Sequence, residues 1–259
     1  MDPRARFSDR VQDYIRYRPG YPAALRTILA EAGLAPGAAV ADLGSGTGIL
    51  SALLLDWGCR VYGVEPNAEM RAASAALLAG WGGFTAVEGS SEATGLADGS
   101  VDAVVAAQAF HWFEPAAARR ECLRVLRPGG FAAMIWNTRR LDSTPFLIAY
   151  EAFMHRWGTD YARVAQRYAA PEALATFFGG APTRAVAGNA QALDRAGLVG
   201  RILSCSYIPG VDHPDRAPML AAAEALFDAH QRGGQVVIDY DTEVFLGPLG
   251  GADASGPAQ

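Results

Sequence analysis

Asp42, Gly44, Gly46, Gly48 and Glu65 are the residues whose types and spacing most directly imply chemistry. The apolar run Val40-Ala41 enters the segment Asp42-Leu43-Gly44-Ser45-Gly46-Thr47-Gly48, and a helix-like run over 49–55 leaves it. A second apolar segment, Val61-Tyr62-Gly63-Val64, ends on Glu65. A strand, a glycine-rich turn, a helix and a second strand tipped with a carboxylate compose the first half of a nucleotide-binding α/β sheet. Glycines let the backbone turn tightly and approach a ligand where a Cβ would collide. The N–H groups at the following helix start can receive an anion or a polar group, and the Glu65 carboxylate can accept both hydroxyls of a ribose. A dinucleotide site uses G-x-G-x-x-G, which seats a pyrophosphate on the helix end. Here the glycines run G-x-G-x-G, with Asp42 two residues ahead, and Glu65 follows Gly48 at close to the interval of about 20 expected of a ribose-binding acid. That spacing favours a different adenosine cofactor, with a nicotinamide-dependent oxidoreductase as the competing reading.

The elements that must position these residues follow from periodicity. Segment 7–17 reads as a short amphipathic helix, closed by Arg18-Pro19-Gly20-Tyr21-Pro22, and 23–33 as a second, stopped by Gly33. Strands are predicted at 39–43, 60–64, 84–87, 101–107 and 131–136. Helices over 49–57, from the Asn67 cap to about 79, and over 115–125 alternate with them, and this rhythm implies a parallel sheet. Asp98-Gly99 and Arg127-Pro128-Gly129-Gly130 read as turns. After Asn137 the rhythm breaks. Segments 146–158 and 160–168 are predicted helical and aromatic-rich, forming a cap; 177–186 supplies a sixth strand, 191–203 and 216–232 are helices, and 235–246 is the last strand. The resulting plan is an N-terminal helical lid (1–34), a Rossmann-like core (35–137), a helical substrate cap (138–175), a C-terminal completion of the sheet (176–246) and a disordered Gly/Pro/Ala/Ser-rich tail (247–259). No internal repeat is visible.

Composition narrows the function classes. With 22 basic and 27 acidic residues the net charge is −5, which argues against a general nucleic-acid binder. Every basic residue is Arg, so Schiff-base, phosphate-loop and kinase-type lysine chemistry is excluded. Cys59, Cys122 and Cys205 are far apart and unpaired by spacing, and read as buried thiols in a reducing compartment. The N-terminus leads into no apolar core of a signal peptide, and no apolar run is long enough to span a membrane. These features predict a soluble cytoplasmic protein.

Asp42-Leu43-Gly44-Ser45-Gly46-Thr47-Gly48, Gly63-Val64-Glu65-Pro66-Asn67 and Leu126-Arg127-Pro128-Gly129-Gly130 resemble the motifs of class I S-adenosylmethionine-dependent methyltransferases of the small-molecule type. Tyr17-Arg18-Pro19-Gly20-Tyr21-Pro22 and Gln108-Ala109-Phe110-His111-Trp112-Phe113 are similar to one subgroup, methyltransferase type 11. The resemblance implies a seven-stranded, mostly parallel sheet with its last strand antiparallel and helices on both faces, and S-adenosylmethionine across the carboxyl ends of the first strands. It implies that the loop Gly44, Ser45, Gly46, Thr47 and Gly48 holds the methionine part, that Glu65, beside Pro66, binds the ribose, and that Met70 packs on adenine. Ser90-Ser91-Glu92 stands where the family usually has an Asp-containing segment reaching the adenine amino group, with Ser90 at that Asp. Gln108 would lie beside the methionine part, and Arg18, near Tyr14 or Tyr17, would pair with its carboxylate. Plainer readings stand beside these: Met70 as core, Arg18 tying down the N-terminal helix, Asp42 capping the glycine turn through backbone N–H groups.

The sulfonium carries the reactivity, so the protein must mainly align the reacting atoms and exclude water. Where the acceptor keeps a proton, His111 is the leading base; it can equally orient substrate or shape the pocket. Tyr21, His111, Trp112, Trp136, Phe146, Tyr150 and Glu151 are expected to line the acceptor pocket, Trp112, Trp136 and Phe146 as an electron-rich wall near the sulfur or as core. Glu151 and His155 share a helix face at i and i+4, yet they and Asp212-His213-Pro214-Asp215 read as solvated features, since no third ligand is positioned; no metal is expected. The predicted activity is methyl transfer to O, N or C of a small, largely apolar acceptor, by a monomer or homodimer that binds neither nucleic acid nor membrane. A non-catalytic cofactor-binding scaffold is a further alternative.

Overall fold

In the computed structural model every residue of β1 (Ala39–Leu43) is buried, as expected of a central parallel strand covered on both faces. The structure describes residues 17–159, 161, 171–205 and 207–249; the expectations for 7–16 (with Tyr14), 160 and 162–168, and for the tail after 249, lie outside the described residues. β2 (Arg60–Val64) and β4 (Val101–Ala107) flank β1 in parallel and place Gly63 and Val105 opposite Asp42. β3 (Phe84–Val87) pairs with β2 and β5 (Leu126–Arg139) with β4, both in parallel. With β6 (Thr183–Leu193) and β7 (Val236–Gly247) they form one seven-stranded, mostly parallel sheet in the order β3-β2-β1-β4-β5-β7-β6. The strand order reverses between β1 and β4, and at such a point the two outgoing loops diverge and leave a crevice at the strands' carboxyl ends.

Helices alternate with these strands for local reasons. α1 (Ala24–Glu31) precedes β1, and α2 (Ile49–Asp56) starts directly from the glycine turn. Asn67 caps α3 (Ala68–Leu77), its side chain accepting from the Met70 N–H at 2.9 Å. Glu114 caps α4 (Pro115–Val125), with Pro115 preset at the first helical position. The start of β1 is fixed from the neighbouring strand β4: Asp102 accepts the Ala39 N–H at 2.7 Å and is ion-paired to Arg127.

The chain divides into two compact units. The core unit holds residues 23–136, 169–186 and 243 onward, and its interior gathers Leu43, Val104, Met134 and Trp136 around Phe110 and Phe177. Phe110 meets Phe177 edge-on at 5.3 Å and Trp136 at 6.0 Å. Among the described residues the accessory unit holds 17–22, 137–159, 161, 187–205 and 207–242. Its interior is built from α5 (Pro145–Trp157), α7 (Arg195–Leu203), α8 (Arg216–His230) and the buried face of β7.

Several element boundaries differ from expectation. β5 already begins at Leu126, through the expected turn over 127–130, and β7 runs to Gly247, with Leu249 buried in the segment expected as the tail. Phe177 and Phe178 do not open the sixth strand; they end α6 (Pro171–Phe178), and β6 begins at Thr183. Pro171 at the helix start, Glu172 in its first turn and Gly179 at φ 71 after its end are helix signals that outweigh the aromatic pair. Residues 191–193 belong to β6, because Asp194 accepts the Gly197 N–H at 2.7 Å and starts α7 only there. Phe177 is fully buried, so Phe177→Ala is expected to lower unfolding stability by about 3–5 kcal/mol, read from the denaturant midpoint.

Candidate cofactor site

The glycine turn is shaped by three left-handed residues, Gly44 (φ 64), Gly46 (φ 55) and Gly48 (φ 87). At Gly44 the space is closed as well, since a Cβ there would stand 2.7 Å from the Ala109 Cβ. The Gly44 and Ser45 N–H groups donate to the Val64 carbonyl at 2.8 and 3.3 Å, and the Gly48 N–H to the Ser45 carbonyl at 2.9 Å. The end of β2 therefore holds the turn that leaves β1.

Two buried carboxylates complete this arrangement. Glu65 accepts the Gly46 N–H on one oxygen at 2.9 Å and the Asn67 N–H on the other at 2.8 Å, while Arg71 donates to its carbonyl at 2.8 Å. Burial raises its pKa, and these donors offset only part of the rise. Each oxygen keeps a second acceptor site. Asp42 is 1 % exposed and is held by Ser51, whose hydroxyl donates at 2.7 Å and whose N–H lies in the first turn of α2. Burial pushes the Asp42 pKa up to about 7; the Ser51 bonds oppose this and the charge of Glu65 adds to it. Asp42 thus reaches past the glycine turn to α2.

Three oxygens here are buried without a hydrogen-bond partner: Asp42 Oδ1, Ser45 Oγ and Thr47 Oγ1. Buried polar atoms in native proteins are normally paired, so a turn that collects three unpaired acceptors in six residues has the donor and acceptor set to receive a polar ligand. An amino acid with a protonated amine is such a ligand, and the residues present fit the methionine end of S-adenosylmethionine.

Of the remaining expected cofactor residues, all but Arg18 lie in the same unit. Met70 is buried on α3, and Pro66 is exposed at the turn before it. Ser90, Ser91 and Glu92 satisfy one another: Ser91 donates to Glu92 at 2.6 Å, the Glu92 N–H donates to Ser90 at 3.3 Å, and Glu92 also takes the Glu114 N–H at 3.0 Å. Burial would raise the Glu92 pKa, but these donors outweigh it and leave it lowered. Gln108, at the end of β4, is the one non-glycine residue with positive φ (57) among the described residues, a strained conformation of the kind that gathers at functional sites. His111 and Trp112 follow in the 3-10 turn Phe110–Trp112, half-buried, their rings 4.8 Å apart. Trp136 lies deep in the core, edge-on to Phe245 at 5.7 Å.

Arg18, Tyr21, Phe146, Tyr150 and Glu151 belong to the accessory unit. Arg18 donates to the Ser204 carbonyl at 2.9 Å, and the carbonyl of Gly20, beside half-buried Tyr21, accepts from Asn137 at 3.0 Å and Asn189 at 2.9 Å. Phe146 and Tyr150 pack together with ring centroids 5.7 Å apart. Glu151 is not a solvated surface acid: it is bonded to Arg139, to the Tyr161 hydroxyl at 2.7 Å and to His155 at 3.1 Å. Ser51 and Arg71 escaped sequence reasoning. The signals were present, a Ser in the first turn of the helix facing Asp42 and an Arg one turn past the Asn67 cap, but both act through hydrogen bonds formed only once the turn is folded.

The raised Asp42 pKa has a stability consequence. An unfolded Asp ionises near the ordinary 3.8, whereas the folded one holds its proton to about 7. Its contribution is therefore complete below the unfolded value and is lost as pH rises through about 7. Ligand-free wild type is expected to lose stability relative to Asp42→Asn between pH 4 and 7 in parallel urea titrations, and curves that stay parallel would contradict the assignment.

Comparison with known proteins places this geometry. The family model described as a methyltransferase domain matches residues 41–134, from within β1 into β5. An uncharacterized methyltransferase of Mycobacterium tuberculosis is 44% identical over 136 residues, covering 51% of this chain and 52% of the relative; the chain spans about half the length of the curated relatives it matches. Among solved structures, a protein of Anaeromyxobacter dehalogenans described as a type II methyltransferase superposes with TM-score 0.68 at 23% identity, covering 90% of this chain and 98% of that one. A methyltransferase of Geobacter sulfurreducens in complex with S-adenosyl-L-homocysteine superposes with TM-score 0.52 at 20% identity, covering 93% and 96%. At these identities the superpositions speak to the fold, while the matched segment carries the glycine turn and Glu65. Residues 41–134 thus match a methyltransferase domain, and the chain as a whole shares its fold with solved methyltransferases.

Proposed function

We propose that this chain is an S-adenosylmethionine-dependent enzyme that methylates O, N or C of a small organic acceptor with a largely apolar body. The observation that carries the reading is the set of unpaired buried oxygens on Asp42, Ser45 and Thr47 beside the doubly anchored Glu65. When bound, the cofactor supplies an electrophilic methyl group on a cationic sulfur. The chain's own residues do the rest. Glu65 holds a ribose diol with its remaining acceptor sites. Asp42, Ser45 and Thr47 receive the amino-acid end, and a nearby cation stabilises the ionised form of Asp42. Met70 packs on the adenine ring, with Ser90, Ser91 and Glu92 at its edge.

His111 is placed to take a proton from an acceptor hydroxyl or amine, or to orient it, and Trp112 to exclude water beside it. In the accessory unit Tyr21, Phe146, Tyr150 and Glu151 contribute to acceptor recognition. The acidic balance of the chain supports a small-molecule acceptor over nucleic acid. A cytoplasmic monomer or homodimer in secondary metabolism is the setting we assign.

Calorimetry separates this reading from an oxidoreductase on the same sheet. S-adenosylhomocysteine is expected to bind and NAD not to, and Glu65→Ala should weaken the former at least about tenfold, or ~1.4 kcal/mol. Uptake of NAD with no response to S-adenosylhomocysteine would overturn the proposal. Should His111 be the base, His111→Ala lowers turnover by about 10²-fold or more with S-adenosylhomocysteine affinity unchanged; an unchanged rate removes that role.

A further inference from the structure

Arg201 on α7 is 7 % exposed, and no carboxylate of the described residues pairs with it. Its guanidinium reaches only Tyr240 Oη at 3.4 Å, Ser204 Oγ at 3.5 Å and Cys205 Sγ at 3.1 Å. Burying a charge without a counter-charge is costly, so the arrangement needs a reason. Two more buried donors stand in the same unit. Tyr150, 1 % exposed on α5, has a hydroxyl with no hydrogen-bond partner, and Arg139 has an unpartnered Nη1. Arg139 lies over the Tyr150 ring, 4.8 Å from its centroid, and the charges of both Arg139 and Arg201 bear on the Tyr150 hydroxyl. Arg139 is neutralised by Glu151; among the described residues no carboxylate does the same for Arg201.

We propose that Arg201, Arg139 and Tyr150 form a carboxylate-binding site in the accessory unit, which receives an anionic end of the methyl acceptor. The inference rests on the methyltransferase reading and adds that the acceptor's apolar body carries a carboxylate. A guanidinium matches the planar, two-oxygen shape of that group, and the Tyr150 hydroxyl supplies a third donor. Phe146 and Phe153, packed against the Tyr150 ring at 5.7 and 6.4 Å, provide the apolar surround that a ring or chain beside the carboxylate requires. Among the described residues the group that would compete as counter-charge is Cys205, were its thiol ionised. Burial raises that thiol's pKa, but the charges of Arg201 and Arg18 outweigh the rise and leave it lowered.

Benzoate and its neutral isostere benzamide test the site on the full chain, by thermal shift and calorimetry. Benzoate is expected to bind and benzamide not to. Arg201→Met should weaken benzoate at least about tenfold, and Tyr150→Phe, which keeps the ring in the core, about three- to tenfold. Arg201→Met should also leave the ligand-free protein at least as thermostable as wild type, because an unpaired buried charge is removed; an arginine serving packing alone would lower it. Equal responses to benzoate and benzamide in wild type overturn the proposal even where a variant fails to fold. So does thiolate absorbance that Cys205→Ser abolishes in a wild type indifferent to benzoate, for Arg201 would then have its counter-ion. Benzoate binding is read without cofactor: its loss with S-adenosylhomocysteine uptake intact rejects this site alone, and the converse rejects the methyltransferase reading alone.

Discussion

Glu65 accepting one N–H from the glycine turn and one from the turn before α3 is the interaction on which the cofactor end of the sheet depends. The two turns leave adjacent parallel strands, and their backbone donors point into space that no third strand can fill. A single carboxylate at the end of β2 satisfies both and so sets the distance between them. The cost is a carboxylate held in low dielectric, visible in the raised pKa values of Glu65 and Asp42. Proteins keep such costs where a ligand makes use of them, and under the proposed function a cofactor that carries an amine, a sulfonium and a ribose diol has use for both acids.

The same logic runs through the unpaired oxygens. Asp42 could have been closed off by backbone N–H groups of the turn. It reaches Ser51 instead, and its second oxygen remains open. With Gly44 blocked by Ala109 against any larger residue, the turn has little freedom to collapse onto those oxygens. Rigidity of the backbone and incompleteness of the hydrogen bonding together make the site preorganised for a ligand. The accessory unit repeats the pattern with opposite sign, where Arg201, Arg139 and Tyr150 offer donors in place of acceptors.

Much of the core unit was legible in the residue order because buried parallel strands appear as unbroken apolar runs. Ala39–Leu43 and Val101–Ala107 coincide with their expected bounds, and the acids that end or follow such runs stand out. Legibility failed where local signals competed, as at Phe177-Phe178, whose aromatic pair suggests a strand while Pro171 and Gly179 dictate a helix. It failed again wherever partners are distant in sequence. Nothing near Glu151 announces Arg139 and Tyr161, and an isolated arginine on α7 reveals neither its burial nor that no carboxylate of the described residues pairs with it. The metal-like spacing of Glu151 and His155 is real as a 3.1 Å contact between the imidazole Nε2 and the carboxylate, and the acid is committed to Arg139 as well.

A crystal structure with S-adenosylhomocysteine examines the account most directly. The ribose hydroxyls are expected at hydrogen-bond distance, about 3 Å, from the Glu65 carboxylate, with the amino-acid end against Asp42 Oδ1, Ser45 Oγ and Thr47 Oγ1. Density for the ligand elsewhere, or those three oxygens still unpaired beside a bound ligand, would contradict it.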